Sequence, residues 1–211
     1  RAVAIDSNPS LITYPQRACS GGEFRGQFLL TPQLFSCKYN GWMAVVHIPT
    51  GTIFNRHGQL MSIGSEFTEA VDELSKSPFD WLVCEALSRR HPIGQGSLFV
   101  IDWMTPDMTM IERHQSLRDW FPTHEWKVLP SENRAYLIQQ FEDSDDGLLD
   151  RWKEMQAMNL WLTTDIYKNQ PIDKTLEFYE GFVATDKHSK YQFQLQSPDR
   201  TTTKIQKYRF C

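Results

Sequence analysis

The segment FSCKYNGWMAV, residues 35–45, places Lys38 between an apolar run and a turn that contains Asn40 and Gly41. A lysine amine acts as a nucleophile once it is deprotonated, which burial and neighbouring cations favour. Attack by such an amine on the α-phosphate of a nucleotide would form a phosphoramide bond. A glycine beside the lysine would let the backbone approach the nucleotide closely. This segment is therefore the first candidate for chemistry.

Further charged residues interrupt other apolar segments of strand length, where a charge is costly unless it is paired. They are Glu85, Glu180 beside Gly181, and the cluster Lys204, Lys207 and Arg209. Lys and Arg side chains donate to phosphate oxygens, and carboxylates hold the Mg²⁺ that a pyrophosphate leaving group needs. Together with Lys38, these side chains predict a site for nucleotidyl transfer.

Hydrophobic periodicity predicts the elements that must position these residues. We expect helices at 65–76, 131–141 and 147–162. We expect two strands joined by a turn within 43–58, and single strands at 80–87, 96–104, 181–186, 191–196 and 204–210. The order is mixed and has no regular βαβ rhythm, which predicts an α+β fold with antiparallel sheets flanked by helices. The aromatic side chains of Tyr39, Trp42 and Trp81 are interpreted as core.

Composition narrows the class of protein. The 211 residues carry a formal net charge of −4, which argues against a general nucleic-acid coat protein. Residues 186–211, however, hold six basic against two acidic side chains, so this end could bind phosphates. The four cysteines form no Cys-x-x-Cys pair, which argues against zinc and favours a reducing cytoplasm. No apolar run has the roughly 18 residues of a membrane helix.

Six segments resemble, in order, the motifs of the covalent nucleotidyltransferase superfamily of ATP-dependent DNA ligases, RNA ligases and mRNA capping enzymes. They are KYNG (38–41), NRHG (55–58), VCEAL (83–87), FVIDWM (99–104), YEGFVA (179–184) and KIQKYRF (204–210). Each segment alone is a weak signal, whereas six in this order at plausible spacing are a strong one. The likeness is greatest to the adenylation domain of phage and bacterial ATP-dependent DNA ligases, with RNA ligases next. It implies an ATP-grasp-like nucleotidyltransferase domain.

The resemblance implies a role for each matching residue. Lys38 would accept AMP from ATP, Glu85 would bind the ribose hydroxyl, and Glu180, with Glu85, would hold Mg²⁺. The remaining implied nucleotide contacts are Asn40 and Gly41 in the first motif, Arg56 at the ribose or the incoming strand end, Ile101 at the base, and Lys207 at the α-phosphate with Lys204 and Arg209.

The sequence departs from the family pattern at four positions. Asn40 replaces the usual Asp, Met43 stands where DNA ligases usually have Arg, and Thr185 stands where Lys is common. Ile101 occupies the place at which many relatives have a Phe that stacks on the base; Phe99 lies on the same strand face. These substitutions keep open an inactive homologue that binds nucleic acid without forming an adduct.

The leading hypothesis is an ATP-dependent DNA ligase that seals nicks through a lysyl-AMP intermediate on Lys38. An RNA ligase with the same mechanism is the alternative, followed by a GTP-dependent capping guanylyltransferase. The expected partner is a nucleic acid with 5′-phosphate and 3′-hydroxyl ends, and no membrane. We expect a cytoplasmic monomer in a bacterial or phage-infected cell. Residues 1–211 are predicted to form one domain, with 1–34 as a lead-in and no recognisable oligonucleotide-binding domain.

Overall fold

A computed structural model describes residues 14–22, 32–87, 93–131, 133–142, 145–169, 177–193 and 201–210. Within them lie ten strands and three α-helices. The strands are β1 (Arg17–Gly22), β2 (Gln33–Tyr39), β3 (Trp42–His47), β4 (Thr52–Phe54), β5 (Trp81–Leu87), β6 (Ser97–Trp103), β7 (Thr123–His124), β8 (Ala135–Ile138), β9 (Tyr179–Asp186) and β10 (Thr201–Arg209). The helices are α1 (Thr68–Ser75), α2 (Met110–Arg118) and α3 (Asp145–Trp161).

The strands form two sheets. The four-stranded sheet has the order β1-β10-β9-β2, and the six-stranded sheet has the order β4-β3-β5-β6-β8-β7. The central pairs, β2 with β9, β9 with β10, β3 with β5 and β5 with β6, are antiparallel. Parallel pairs occur at the margins, where β1 joins β10 and β8 joins both β6 and β7. The predicted α+β class with helix-flanked sheets is confirmed, and each sheet is mixed rather than purely antiparallel.

Helices cover one face of each sheet. The four-stranded sheet packs against α3 through a core that includes Phe35, Phe182 and Trp152. The six-stranded sheet packs against α1 and α2 through a second core that includes Leu74 and Leu117. The faces of the two sheets opposite these helices carry most of the predicted site residues.

Three predicted elements differ from the structure. The segment 131–141 is not a helix: its centre is β8, a strand whose four residues are all buried. A short apolar run of this kind has no periodicity that separates a buried strand from a helix. Residues 191–193 are not a strand, and 194–196 lie outside the described residues. The predicted lead-in contributes β1 to the four-stranded sheet.

The helix predicted at 147–162 is confirmed as α3, and the strand predicted at 204–210 as the second half of β10. None of the described helices combines the length and apolar character that crossing a membrane would require.

Candidate active site

A cleft of about 590 Å³ separates the two sheets and collects most of the predicted site residues. Eight of the ten line it: Lys38, Gly41, Arg56, Glu85, Ile101, Glu180, Lys207 and Arg209. Asn40 and Lys204 lie outside the lining. The cleft is therefore the candidate active site.

Lys38 reaches the cleft because β2 alternates its side chains. Phe35, Cys37 and Tyr39 belong to the core against α3, so Lys38 projects from the opposite face. Its side chain keeps 19% of its surface exposed, and its Nζ forms an ion pair with Oε2 of Glu180. The amine is thus shielded from bulk water while it remains accessible from the cleft.

A β-bulge places Glu180 beside this amine. Lys38 pairs with Gly181 and Tyr39 pairs with Tyr179, which leaves Glu180 as one extra residue in β9. A bulge of this kind re-aims a side chain by breaking the alternation of the strand. Without the bulge, Gly181 rather than Glu180 would be the next residue of β9 to face the cleft.

The alternation along β9 shows what the bulge achieves. Thr185 and Val183 line the cleft, and the next lining residue is Glu180. Gly181 has a φ of +137°, and a Cβ there would lie 1.9 Å from the backbone oxygen of Tyr208. Only glycine allows β10 to approach this closely, so the Glu-Gly pair predicted from the sequence is needed at both of its positions.

The turn after Lys38 is tied to both sheets. The side-chain amide of Asn40 donates to the carbonyl of Glu177 at 2.8 Å, and its backbone N–H donates to the carbonyl of Phe178 at 3.0 Å. The N–H of Gly41 donates to Oε1 of Glu85 on β5 at 2.9 Å. Asn40 therefore holds the turn from behind the cleft instead of contributing to its lining.

Two carboxylates, Glu85 and Glu180, line the cleft as candidates for holding Mg²⁺. Among the described residues, no group of three or more His, Cys, Asp or Glu side chains could hold a metal ion. Mg²⁺ commonly binds through one or two carboxylates and completes its shell with phosphate oxygens and water. Glu85 and Glu180 thus provide the number of carboxylates that an ion arriving with a nucleotide would use.

Basic side chains on β1, β2, β10 and the turn after β4 act on the charge of Lys207. Burial lowers the pKa of Lys207, and the charges of Arg209, Lys38, Arg17 and Arg56 lower it further, in that order. Lys38, Arg56, Lys207 and Arg209 all line the cleft, and we call these four the cationic cluster. A lysine whose charge is destabilised by burial and by neighbouring cations favours a bound anion such as a phosphate.

Lys204 does not join the cationic cluster, although it lies on the same strand as Lys207. The cleft-lining positions of β10 are Ile205, Lys207 and Arg209, so Lys204 belongs to the alternate set. Its Nζ lies 3.8 Å from Oδ2 of Asp186.

The region predicted for the base has no aromatic residue from β6. Val83 pairs with Asp102 and Cys84 pairs with Val100, so Ile101 is an extra residue that faces the cleft. Phe99 is fully buried and stacks on Tyr39 with ring centroids 4.5 Å apart. It packs in the core and does not line the cleft.

Sequence reasoning missed a buried ion pair at the cleft wall. Arg113 on α2 is fully buried and donates to both carboxylate oxygens of Asp102, from Nε at 2.7 Å and from Nη2 at 3.1 Å. Its Nη1 donates to the carbonyls of Met108 and Ser189. A signal for α2 was available, because Thr109 and Glu112 form a capping box at its start.

Trp42 was interpreted as core, and this was wrong. Its side chain is 51% exposed and lines the cleft, whereas Tyr39 and Trp81 are buried as expected. Trp42 is the first residue of β3, directly after the glycine turn, and about half of its surface is exposed there. Met43 and Thr185, which like Asn40 and Ile101 depart from the family pattern, also line the cleft.

No family model and no curated protein matches this chain. Among solved structures, it is similar to one from a structure–function analysis of Lig E DNA ligases, with a TM-score of 0.59 and 12% identity over 95% of this chain and 70% of that chain. A second structure, described as Pmar-Lig_Pre, gives a TM-score of 0.49 and 14% identity over 85% of this chain and 43% of that chain. The first likeness shows that the chain has a DNA-ligase-like fold, as the ordered motifs implied.

Proposed function

We propose that this chain is the nucleotidyltransferase domain of an ATP-dependent polynucleotide ligase that seals nicks in DNA through a lysyl-AMP intermediate on Lys38. The observation that carries the proposal is the arrangement of the cleft, where Lys38 lies in contact with Glu180 and within the cationic cluster. The likeness in fold to a Lig E DNA ligase supports DNA as the substrate.

In the first step, Nζ of Lys38 attacks the α-phosphorus of ATP. A nitrogen–phosphorus bond forms, the bond to the bridging oxygen of pyrophosphate breaks, and the amine gives up its proton. Glu180 is the carboxylate in contact with Nζ, so it orients the amine and can accept that proton. Positioning supplies much of the acceleration in phosphoryl transfer.

The other residues of the cleft act on charge and geometry. Lys207 and Arg209 donate to phosphate oxygens, where negative charge develops during the transfer. Glu180 and Glu85 would hold Mg²⁺, which when bound neutralises charge on the pyrophosphate leaving group. The bonds of Asn40 and Gly41 to opposite sheets fix the turn that carries the nucleophile.

In the second step, AMP passes from Lys38 to a 5′-phosphate end. A 3′-hydroxyl then displaces AMP and joins the two ends. An RNA ligase would use the same residues, so comparing nicked DNA with nicked RNA as the acceptor of AMP decides between the two substrates.

The first test is adduct formation with Mg²⁺ and ATP or GTP labelled at the α-phosphate. Label that survives denaturation is expected from ATP. Lys38→Ala should reduce it to background, and so should Lys38→Arg, because a guanidinium keeps the charge beside Glu180 but is not a nucleophile. Loss in both variants assigns the role to the amine rather than to its charge.

Other outcomes point to other functions. An adduct from GTP alone indicates a capping guanylyltransferase. An adduct that persists in Lys38→Arg contradicts the assignment of the nucleophile. A folded wild-type protein that forms no adduct with either nucleotide supports the inactive nucleic-acid-binding homologue.

A further inference from the structure

Arg17 lies outside every motif that pointed to the candidate site. It is the first residue of β1, the edge strand that runs parallel to β10. The side chain is partly buried and lines the cleft together with Gln16 and Ala18. Its charge also contributes to the lowered pKa of Lys207. Arg17 is therefore a fifth cation directed at the cleft, from an element that the motifs do not include.

The position of Arg17 differs from that of the cationic cluster. Lys38 is on β2, at one edge of the four-stranded sheet, and Arg17 is on β1 at the other edge. Two strands, β9 and β10, lie between them. Since neighbouring strands are about 4.8 Å apart, the backbones of the two edge strands are separated by about 14 Å.

This separation is larger than a single nucleotide triphosphate requires. Neighbouring phosphates of a triphosphate share a bridging oxygen, so they lie closer together than neighbouring strands do. With the nucleotide at Lys38, Lys207 and Arg209 on β10 would contact its phosphate oxygens. Arg17 lies one strand further away and pairs with Thr201 rather than with Lys207, so it is placed for a different anion.

Arg56 approaches the same region from the opposite side of the cleft. It follows β4 of the six-stranded sheet, is exposed, and lines the cleft. Its charge, like that of Arg17, contributes to the lowered pKa of Lys207. Arg17 on β1 and Arg56 in the turn after β4 thus both add positive charge near Lys207. Guanidinium groups bind phosphates through two parallel hydrogen bonds, which suits a fixed phosphate position.

We propose that Arg17 joins Arg56, for which the motifs already imply a contact with the incoming strand end, in a second anion subsite that binds the phosphate backbone of the nucleic acid beside the end that receives AMP. The inference rests on the proposed ligase function and assigns the nucleic-acid side of the cleft to a residue of β1. Arg17 is a nucleic-acid contact in this assignment, whereas Lys207 is a nucleotide contact.

Arg17→Gln tests the subsite in two assays, namely adduct formation from labelled ATP and binding of nicked duplex DNA with a 5′-phosphate. We expect the affinity for nicked DNA to fall about ten-fold at low salt, and the slope of log K against log salt to decrease by about 1, as for one lost phosphate contact. Adduct formation should fall much less. Lys207→Gln should show the opposite order, with adduct formation affected more than DNA binding.

Lys127→Gln is the charge-matched control, because Lys127 is half exposed, pairs with Glu154 and lies outside the cleft lining. It should leave both measurements within about two-fold. Arg17→Lys keeps the charge, so its salt slope should equal that of the wild-type protein. Its affinity for nicked DNA should lie between those of the wild type and Arg17→Gln. Thermal unfolding of each variant shows whether β1 remains in place.

Two outcomes overturn the subsite. Arg17→Gln that reduces adduct formation as much as Lys207→Gln would make Arg17 a nucleotide contact. Arg17→Gln with the wild-type affinity and the wild-type salt slope would remove Arg17 from the nucleic-acid interface. If the wild-type protein forms no adduct, the ligase proposal fails, while the DNA-binding measurements still decide whether Arg17 contacts phosphates.

Discussion

Asn40 shows how one side chain can depart from a family pattern and still serve its site. Relatives of the motif usually carry Asp here, and the change to Asn removes a negative charge next to the nucleophile. In this chain the amide is a donor to the carbonyl of Glu177, and it is buried with 7% exposure. A carboxylate in the same place would put two acceptors against each other. Asn40 is therefore explained by the hydrogen bond that its amide donates in this chain. The change from Asp is not by itself a sign of lost activity.

Restoring the family residue should therefore be harmful. Asn40→Asp is expected to lower the free energy of unfolding by about 1–3 kcal/mol, since the buried carbonyl of Glu177 loses its donor. Adduct formation should fall as well, because the turn after Lys38 loses a bond. Urea unfolding and labelling with ATP measure the two effects.

Asn55→Asp is the matched control for this substitution. The Oδ1 of Asn55 accepts from the N–H groups of His57 and Gln59, which a carboxylate can also do. Its amide nitrogen donates to Oε1 of the exposed Gln59 side chain, whose own amide can turn to donate to a carboxylate instead. We expect a change within about 0.5 kcal/mol. Equal losses from the two variants would show that the amide of Asn40 has no special role.

Residue type and order were enough to place eight of the ten predicted residues in the cleft lining, and register explains why Lys204 is not among them. Lys207 and Lys204 are indistinguishable by type in KIQKYRF, yet the alternation of β10 directs only Lys207 into the cleft. Arg17 was missed for a different reason. It stands in a polar segment without periodicity, and only the parallel pairing of β1 with β10 brings it to the site.

At the scale of elements, the bulge in β9 is the feature that alternation could not predict. The strand was expected to start at Gly181, whereas it starts at Tyr179 and contains an extra residue. The bulge depends on the close approach of Gly181 to the backbone of Tyr208, and that approach depends on two other strands. The helix wrongly expected at 131–141 has a similar origin, because its central residues are buried between β6 and β7.

Gly181→Ala should remove the bulge or the pairing with β10. A Cβ would lie 1.9 Å from the oxygen of Tyr208, and both groups are held by the sheet. We expect the free energy of unfolding to fall by more than about 3 kcal/mol, which is typical of steric conflict with backbone. The pairing of Glu180 with Lys38 should be lost in whatever fraction still folds.

Gly51→Ala separates the clash from the cost of positive φ. Gly51 has a φ of +65°, and a Cβ there meets nothing within 4 Å. The expected loss is about 1–2 kcal/mol, the cost of the left-handed conformation alone. Similar melting temperatures for the two variants would refute the close approach at Gly181.

At the scale of the whole molecule, the cleft exists only while the two sheets keep their separation. A buried group of contacts around Arg113, which we call the joint, connects the two sheets at one end. Asp102 lies on β6 of the six-stranded sheet and binds Arg113. Arg113 also donates to Ser189, which follows β9 of the four-stranded sheet. The ring of Tyr191 lies 5.5 Å from the guanidinium carbon, and its hydroxyl accepts from the N–H of Gln16 just before β1. One guanidinium thus links both sheets and α2.

Removing one partner of this joint should cost far more than removing both. Arg113→Met leaves Asp102 as a buried charge without its partner, and we expect a loss of about 3–5 kcal/mol in the free energy of unfolding. The double variant Asp102→Leu with Arg113→Met replaces the pair by apolar side chains and should recover at least half of that loss. Urea unfolding followed by tryptophan fluorescence measures both proteins. A double variant less stable than Arg113→Met alone would mean that Asp102 stabilises the fold through contacts other than Arg113. In the expected case, adduct formation would recover together with stability, because the cleft depends on the joint for its width and not for its chemistry.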